Sequence, residues 1–156
     1  MIVYRLSKEK YSGDLSGKGS EITGGRWNAA GIPALYAAQN ISLAVLESIV
    51  HAGHINNLYN QIIVFLAIDE SVHIHDISAN DLPPKWNAFP WVKETVNLGT
   101  KWLLAKEHPV ISLPSAIVPQ ERIYIINPLH ADMAKIRIRH KESFVPDSRL
   151  ELKKSS

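Results

Sequence analysis

The chain contains no cysteine. That excludes disulfides, thiolate metal sites and a cysteine nucleophile. No apolar run approaches the ~20 residues that a membrane-spanning helix requires. The opening stretch, MIVYRLSKEKY, lacks a basic segment followed by a long apolar one, so no secretory signal is expected and a cytoplasmic location is the default. Neither sign of charge dominates. With 17 basic and 15 acidic residues the net charge is only +2, which gives no argument for nucleic-acid binding from charge alone. Internal repeats, long linkers and low-complexity blocks are also missing. What is present is 156 residues, 46% hydrophobic and 21% charged, enough for one globular domain with one sizeable core.

The hydrophobic pattern predicts an α+β fold: a single compact domain of short mixed strands and a few helices, without regular βαβα alternation. Ile2 to Leu6 reads as a first strand. Residues 13 to 25 hold five of the eight glycines and read as a loop with special backbone demands. Ala34 to Ala37 is a short buried strand, and Asn40 or Ser42 can cap a helix running to about Ala52. Gln61 to Asp69 is β-branched and suits a central strand. Val72 to Ile77 alternates histidine with apolar residues. Leu82 to Trp91, with three prolines and two tryptophans, reads as irregular. Val92 to Lys106 has helical spacing, with Val92, Val96, Trp102 and Leu103 as core contacts. PVISLPSAIV and RIYIINP read as strands flanking a turn at Gln120-Glu121, and Lys135 to Arg139 suits an exposed edge strand. Residues 1–145 form the domain. Residues 146–156 form a polar tail, with Lys153-Lys154 a solvated end rather than a contact patch.

One stretch raises a chemical question. In GGRWNAAGIPALYAAQNISLAVLESIVH, Glu47 shares a helical face with Leu43, Leu46 and Val50, while Ser42 and Ser48 mark the outer face. An unpaired buried carboxylate is costly. It is either one half of an ion pair, with Arg5 or Arg26 as partner, or a carboxylate held in a cleft for chemistry. Gly24-Gly25 precede Arg26, Trp27 and Asn28. Glycines let backbone approach a ligand, and arginine is the fork-shaped donor suited to a pyrophosphate. The frame is neither a P-loop nor a dinucleotide fingerprint, and a plain turn with Trp27 in the core is the simpler alternative. Tyr36 can present a ring and a hydroxyl to the same cleft.

Ser115, within LPSAIVP, has no G-x-S-x-G elbow around it. It can hydrogen-bond Glu47 or a ligand, or cap local backbone. Asn127 sits in a turn and can hold that loop or a ligand. His51 with His54, and His73 with His75, have spacings that suggest metal ligands. Neither pair has a carboxylate at motif spacing and there is no HExxH, so no metal is expected.

Taken in order, Arg5, the glycine-rich loop, GGRWNAAGIPALY, LAVLESIVH and LPSAIVPQERIYIINPLH resemble the RES-domain family, the toxin half of bacterial RES–Xre toxin–antitoxin pairs. The resemblance covers roughly residues 2 to 140. It implies an ADP-ribosyltransferase-like fold that binds NAD as substrate and cleaves its nicotinamide–ribose bond, by hydrolysis or phosphorolysis, with modification of a protein target as the alternative. It implies Glu47, Arg5 and Ser115 as catalytic residues. Arg26, Trp27, Asn28, Tyr36 and Asn127 are the implied substrate-binding residues, and no metal is implied. The implied partner is an Xre-type helix-turn-helix antitoxin that covers the active site; neither a membrane nor direct nucleic-acid contact is expected. A noncatalytic RNA-binding module using Arg137, Arg139, His140 and Lys141 is the rival from a different class.

Overall fold

The computed structural model describes residues 1–52 and 58–150. His54 and the Lys153-Lys154 pair therefore lie outside the described residues. The elements in chain order are β1 (Ile2–Lys8), α1 (Lys18–Thr23), β2 (Leu35–Ala38), α2 (Ile41–Ala52), β3 (Gln61–Ile68), β4 (Ile74–Asp76), α3 (Lys93–Ala105), β5 (Val110–Pro114), β6 (Arg122–Ile126) and β7 (Ile136–Phe144). This is the expected single α+β domain. The strands form one seven-stranded sheet in the order β4-β5-β6-β2-β1-β3-β7. Among the described residues only β4 and β5 pair in parallel; the other neighbouring pairs are antiparallel.

Local chemistry accounts for most boundaries. Asn40 caps α2 by accepting the Leu43 N–H at 2.7 Å, which settles the choice between Asn40 and Ser42. The β-branched run of β3 is flanked on both sides, by β1 and β7, as expected for a central strand. β7 is the edge strand that KIRIR suggested. Its solvent-facing charges, including Arg137 and Arg139, discourage pairing with another sheet. α1 was not expected: the glycine-rich loop closes into a short helix between Gly17 (φ 72°) and Gly24 (φ 70°).

The sheet has a seam. β1 and β3 pair at seven successive positions, and β2 and β6 pair along all four residues of β2. β1 and β2 share a single register pair, Tyr4↔Ala38. α2 packs over both of these strands and so lies across the seam.

Two apolar clusters fill the two faces. One holds Val3, Leu35, Ala37, Val64, Leu66 and Ile126. The other holds Trp27, Ala38, Leu43, Ala44, Leu103, Ile111, Leu113 and Ile125, and carries α2 and α3. Two expectations change here. On α2 the buried residues are Leu43 and Ala44, while Leu46 and Val50 are exposed. On α3 the buried residues are Thr95, Gly99 and Leu103 rather than Val92 and Val96. The helix turns its smallest residues inward because backbone from another segment lies against it.

Candidate active site

That segment is the turn from Gly25 to Asn28. The Gly25 N–H donates to the Asn28 carbonyl at 2.9 Å, and the Asn28 N–H returns to the Gly25 carbonyl at 3.4 Å. The side chain of Asn28, with no exposed surface, ties the turn down. Its amide donates to the carbonyls of Ser20 and Ile32, each at 2.9 Å. Its Oδ1 accepts the Tyr36 hydroxyl at 2.6 Å. That hydroxyl in turn accepts the Trp27 N–H at 3.2 Å. A Cβ at position 25 would stand 2.9 Å from Asn28 Oδ1 and 3.1 Å from the Tyr36 oxygen, so this close approach requires glycine.

The turn sends its two central residues to different places. Trp27 enters the core, 1% exposed, and stacks on Trp102 with ring centroids 5.9 Å apart. Arg26 donates through Nη1 to the carbonyls of Trp86 (2.8 Å) and Ala88 (2.7 Å). It thereby clasps the proline-rich loop and holds a guanidinium close enough for Glu47 to sense its charge. Burial lowers the Arg26 pKa, and the Glu47 carboxylate opposes that.

Glu47 is half-buried. Among the described residues no carboxylate–cation pair within 4.0 Å involves it, so the ion-pair reading is not what the structure contains. Its Oε1 instead accepts the Ser115 hydroxyl at 2.7 Å. The same Ser115 oxygen accepts the N–H groups of Ile117 (3.0 Å) and Val118 (3.1 Å). Both roles considered for this serine are thus filled at once: it caps the turn after β5 and aims a hydrogen bond at the carboxylate. Burial pushes the Glu47 pKa up; the Ser115 hydroxyl, Arg26 and His51 pull it back down. Burial likewise keeps the Tyr36 phenol neutral, well above its ordinary range.

The structure brings together Arg26, Tyr36, Glu47 and Ser115, and sets other expected residues apart. Trp27 and Asn28 are interior supports, with no surface to offer a ligand. Asn127 is committed elsewhere. Its amide donates to the Leu103 carbonyl at 2.9 Å and its Oδ1 accepts the Leu129 N–H at 3.1 Å. It follows β6 at the end opposite Arg122, whereas Ser115 bonds the Glu121 carbonyl beside Arg122. Arg5 is not bonded to the Glu47 group. Strand alternation puts it on the face of Val3 and Val64, opposite Tyr4 and Tyr36. Its Nη1 donates to the Asp14 carbonyl at 3.1 Å. Burial lowers its pKa, with the Asp14 charge opposing.

The RES-domain family model matches residues 2–149. The chain belongs to the RES-domain family. Among similar proteins, "Toxin Res" of Photorhabdus laumondii is 38% identical over 96% of this chain and 97% of its own. "Toxin Res" of Pseudomonas putida is 36% identical over 96% and 99%. "Prs ADP-ribosylating toxin" of Sphingobium is 34% identical over 88% and 86%. The fold matches a chain of the M. tuberculosis MbcT–MbcA toxin–antitoxin complex with a TM-score of 0.76 and 15% identity, over 92% of this chain and 83% of that one.

Two residues of this RES domain that sequence reasoning passed over position the turn from behind. Gly99 lies in mid-helix, and any Cβ there would overlap the Trp27 carbonyl group. Thr100 Oγ1 accepts the Ala29 N–H at 2.9 Å. A glycine inside an otherwise helical pattern was the available signal, since it is unfavourable in a helix unless something approaches closely. The Trp86 and Ala88 carbonyls had no such signal, because main-chain acceptors are invisible in side-chain patterns. Together the RES-domain site offers a carboxylate of raised pKa, a nearby guanidinium and an aromatic ring, a set suited to a cationic transition state on an anionic substrate.

Proposed function

We propose that this chain is the toxin of a toxin–antitoxin pair and that it cleaves the nicotinamide–ribose bond of NAD. The observation that carries the reading is Glu47, desolvated and oriented by Ser115 yet paired with no cation among the described residues. The names of its relatives, toxins and an ADP-ribosylating toxin, support the class. As nicotinamide leaves, positive charge develops on the ribose. A carboxylate beside the sugar stabilises that oxocarbenium-like state, as in glycosidases. Water or phosphate then bonds to the ribose carbon from which nicotinamide departed with the bonding electron pair.

Each residue has a proposed part. Glu47 is the catalytic carboxylate, and Ser115 fixes its direction. Arg26 supplies positive charge toward the diphosphate and keeps the loop of Trp86 and Ala88 in place. The Tyr36 ring offers a packing surface; its hydroxyl is already spent on Asn28 and Trp27. Arg5 lies on the other sheet face and donates to the Asp14 carbonyl, so it takes part only if the substrate reaches across the seam between β1 and β2.

Modification of a protein target is the second reading, favoured by the name of the Sphingobium relative. The solved neighbour is a toxin–antitoxin complex, which supports an antitoxin partner; an Xre-type protein covering the site is our proposal. Exposed Leu46 and Val50 on the helix of Glu47, with Phe89 (83% exposed) and Trp91 in the clasped loop, offer it apolar contact area. A cytoplasmic location fits a substrate that resides there, and no described helix is long and apolar enough to cross a membrane.

The experiment is induced expression of wild type and Glu47→Gln side by side, with NAD measured through growth arrest. Depletion that Glu47→Gln abolishes is expected. Arrest with unchanged NAD would reject depletion and favour a protein target. Labelled NAD incubated with and without phosphate and lysate then identifies the acceptor.

A further inference from the structure

The pair of His73, just before β4, and His75, within it, lacks a third ligand at any motif spacing, but the fold supplies one. β4 runs parallel to β5, with Ile74 opposite Val110 and His75 opposite Ile111. The chain enters β5 through Glu107, His108 and Pro109, so His108 arrives beside the start of β4, where His73 and His75 lie. One ring nitrogen from each of the three histidines lies within 4.8 Å of the other two. His75 and His108 stack with centroids 4.1 Å apart and planes 6° from parallel. His73 stands 5.6 Å from His108 and 6.5 Å from His75 by the same measure. The Nδ1 of His108 is buried and has no hydrogen-bond partner among the described residues.

We propose that His73, His75 and His108 bind one divalent transition-metal ion, Zn2+ foremost, at the β4 edge of the sheet. Three converging imidazoles are the donor set of zinc, copper and nickel rather than of magnesium or calcium, which take oxygen. An orphaned ring nitrogen in such a cluster is either an unexplained cost or half of a site. Zinc–nitrogen bonds of about 2.0–2.1 Å in tetrahedral geometry set neighbouring nitrogens about 3.4 Å apart. The cluster must therefore tighten, and the parallel His75–His108 stack must open. His73 is exposed, which leaves a solvent route to the ion and a fourth position for water.

This site is separate from the Glu47 group. His108 precedes β5 and Ser115 follows it, so the two lie at opposite ends of one strand. The expected consequence is structural: the ion ties a three-residue edge strand to the segment that leaves α3.

The test uses the untagged whole chain, stripped with a chelator and titrated with Co2+ and then Zn2+. One equivalent of Co2+ should produce the visible bands of a nitrogen-ligated ion, and Zn2+ should displace it and raise Tm. His73→Ala, His75→Ala and His108→Ala should each weaken binding at least about tenfold, since even the loss of a ligand's supporting hydrogen bond costs that much. His140→Ala should bind like wild type. Imidazole nitrogen resonances of the wild type, recorded with and without Zn2+, keep the proposal open to refutation if a variant fails to fold. Perturbation confined to these three rings supports the site. Absent cobalt bands in the folded wild type, binding that survives all three substitutions together, or shifts centred on other histidines would overturn it.

Discussion

The two sides of the seam are built differently. β1, β3 and β7 are long, and they pair over seven and eight positions, interrupted only by a register shift between Phe65 and Leu66. β4, β5, β6 and β2 are three to five residues each. Yet Tyr36 and Ser115, and both residues that hold the Gly25–Asn28 turn through hydrogen bonds to Tyr36, belong with the short-stranded half. The long half contributes Arg5 alone. Regular ladders supply cooperative pairing but place side chains only up or down. Short strands ending in turns can aim a side chain along the sheet edge, as Ser115 does toward Glu47. The difference suggests a division between a scaffold and a half that carries the chemistry, with α2 spanning both.

Substitutions test that division, from the largest effect downward. Glu47→Gln keeps shape and removes charge; loss of an oriented electrostatic group should lower kcat by about 10²–10³-fold or more. Circular dichroism should show an unchanged fold, and chromatographic NAD turnover gives the rate. Near-normal turnover would remove the chemistry from this half altogether.

Arg26→Ala should cost about 10–100-fold in kcat/KM, because it frees the loop carbonyls as well as removing a charge. Arg26→Lys should rescue poorly, since one ammonium cannot hold both carbonyls in the guanidinium geometry and still face the ligand. A lysine variant equal to wild type would show the clasp to be dispensable.

Arg5→Ala asks whether the long half takes part in more than binding. We expect KM to rise about tenfold through loss of one charge-assisted contact, with kcat little changed. A kcat defect as deep as that of Glu47→Gln would break the proposed division and make Arg5 catalytic.

Ser115→Ala should have a smaller effect that depends on pH. Its hydroxyl lowers the Glu47 pKa against the upward push of burial. Without it the acid limb of the kcat/KM profile should move to higher pH, with less loss on the alkaline side of that limb. An unmoved limb would mean that the serine serves only the turn.

The smallest effect is on stability. The native Glu47 carboxyl holds its proton more tightly than the unfolded one, so the native state binds more protons between the two pKa values. Stability fully present below the unfolded value, about 4.3, is lost as pH rises through the folded value. Glu47→Gln cannot ionise. Its Tm should match wild type near about pH 4 and exceed it at pH 7. A wild type that gains on the variant with rising pH would reverse the assigned direction.

The contrast also explains what could be read from sequence. Strand alternation and β-branched runs located nearly every strand, because burial of a face dictates that pattern. Glu47 was legible because a carboxylate among apolar helical neighbours is expensive. Leu46 and Val50 nevertheless border the open side and do not form a sealed face with it. The resemblance implies Trp27, Asn28 and Asn127 as substrate-binding residues, while the residues alone also allow Trp27 in the core and Asn127 holding its own loop. Which of its possible partners an amide takes depends on backbone carbonyls, such as those of Ser20, Ile32 and Leu103, that no side-chain pattern reveals. Arg5 and Arg26 were interchangeable in sequence; the pairing of Tyr4 with Ala38 separates them by face. His108 was invisible as a third imidazole until a parallel strand brought it alongside.

Gly99 has a consequence for how this gene loses its activity. A Cβ at that position would overlap the Trp27 backbone, and the Trp27 N–H is bonded to the hydroxyl of Tyr36. A single extra carbon, touching no ligand, would thus reach the turn that presents Arg26. Overpacking of this kind costs about 1–3 kcal/mol. Under selection against an uncontrolled toxin, the mutational target therefore extends beyond the four clustered side chains to the glycine behind them. Colonies that survive forced expression should include substitutions at position 99 that leave Arg26, Tyr36, Glu47 and Ser115 intact.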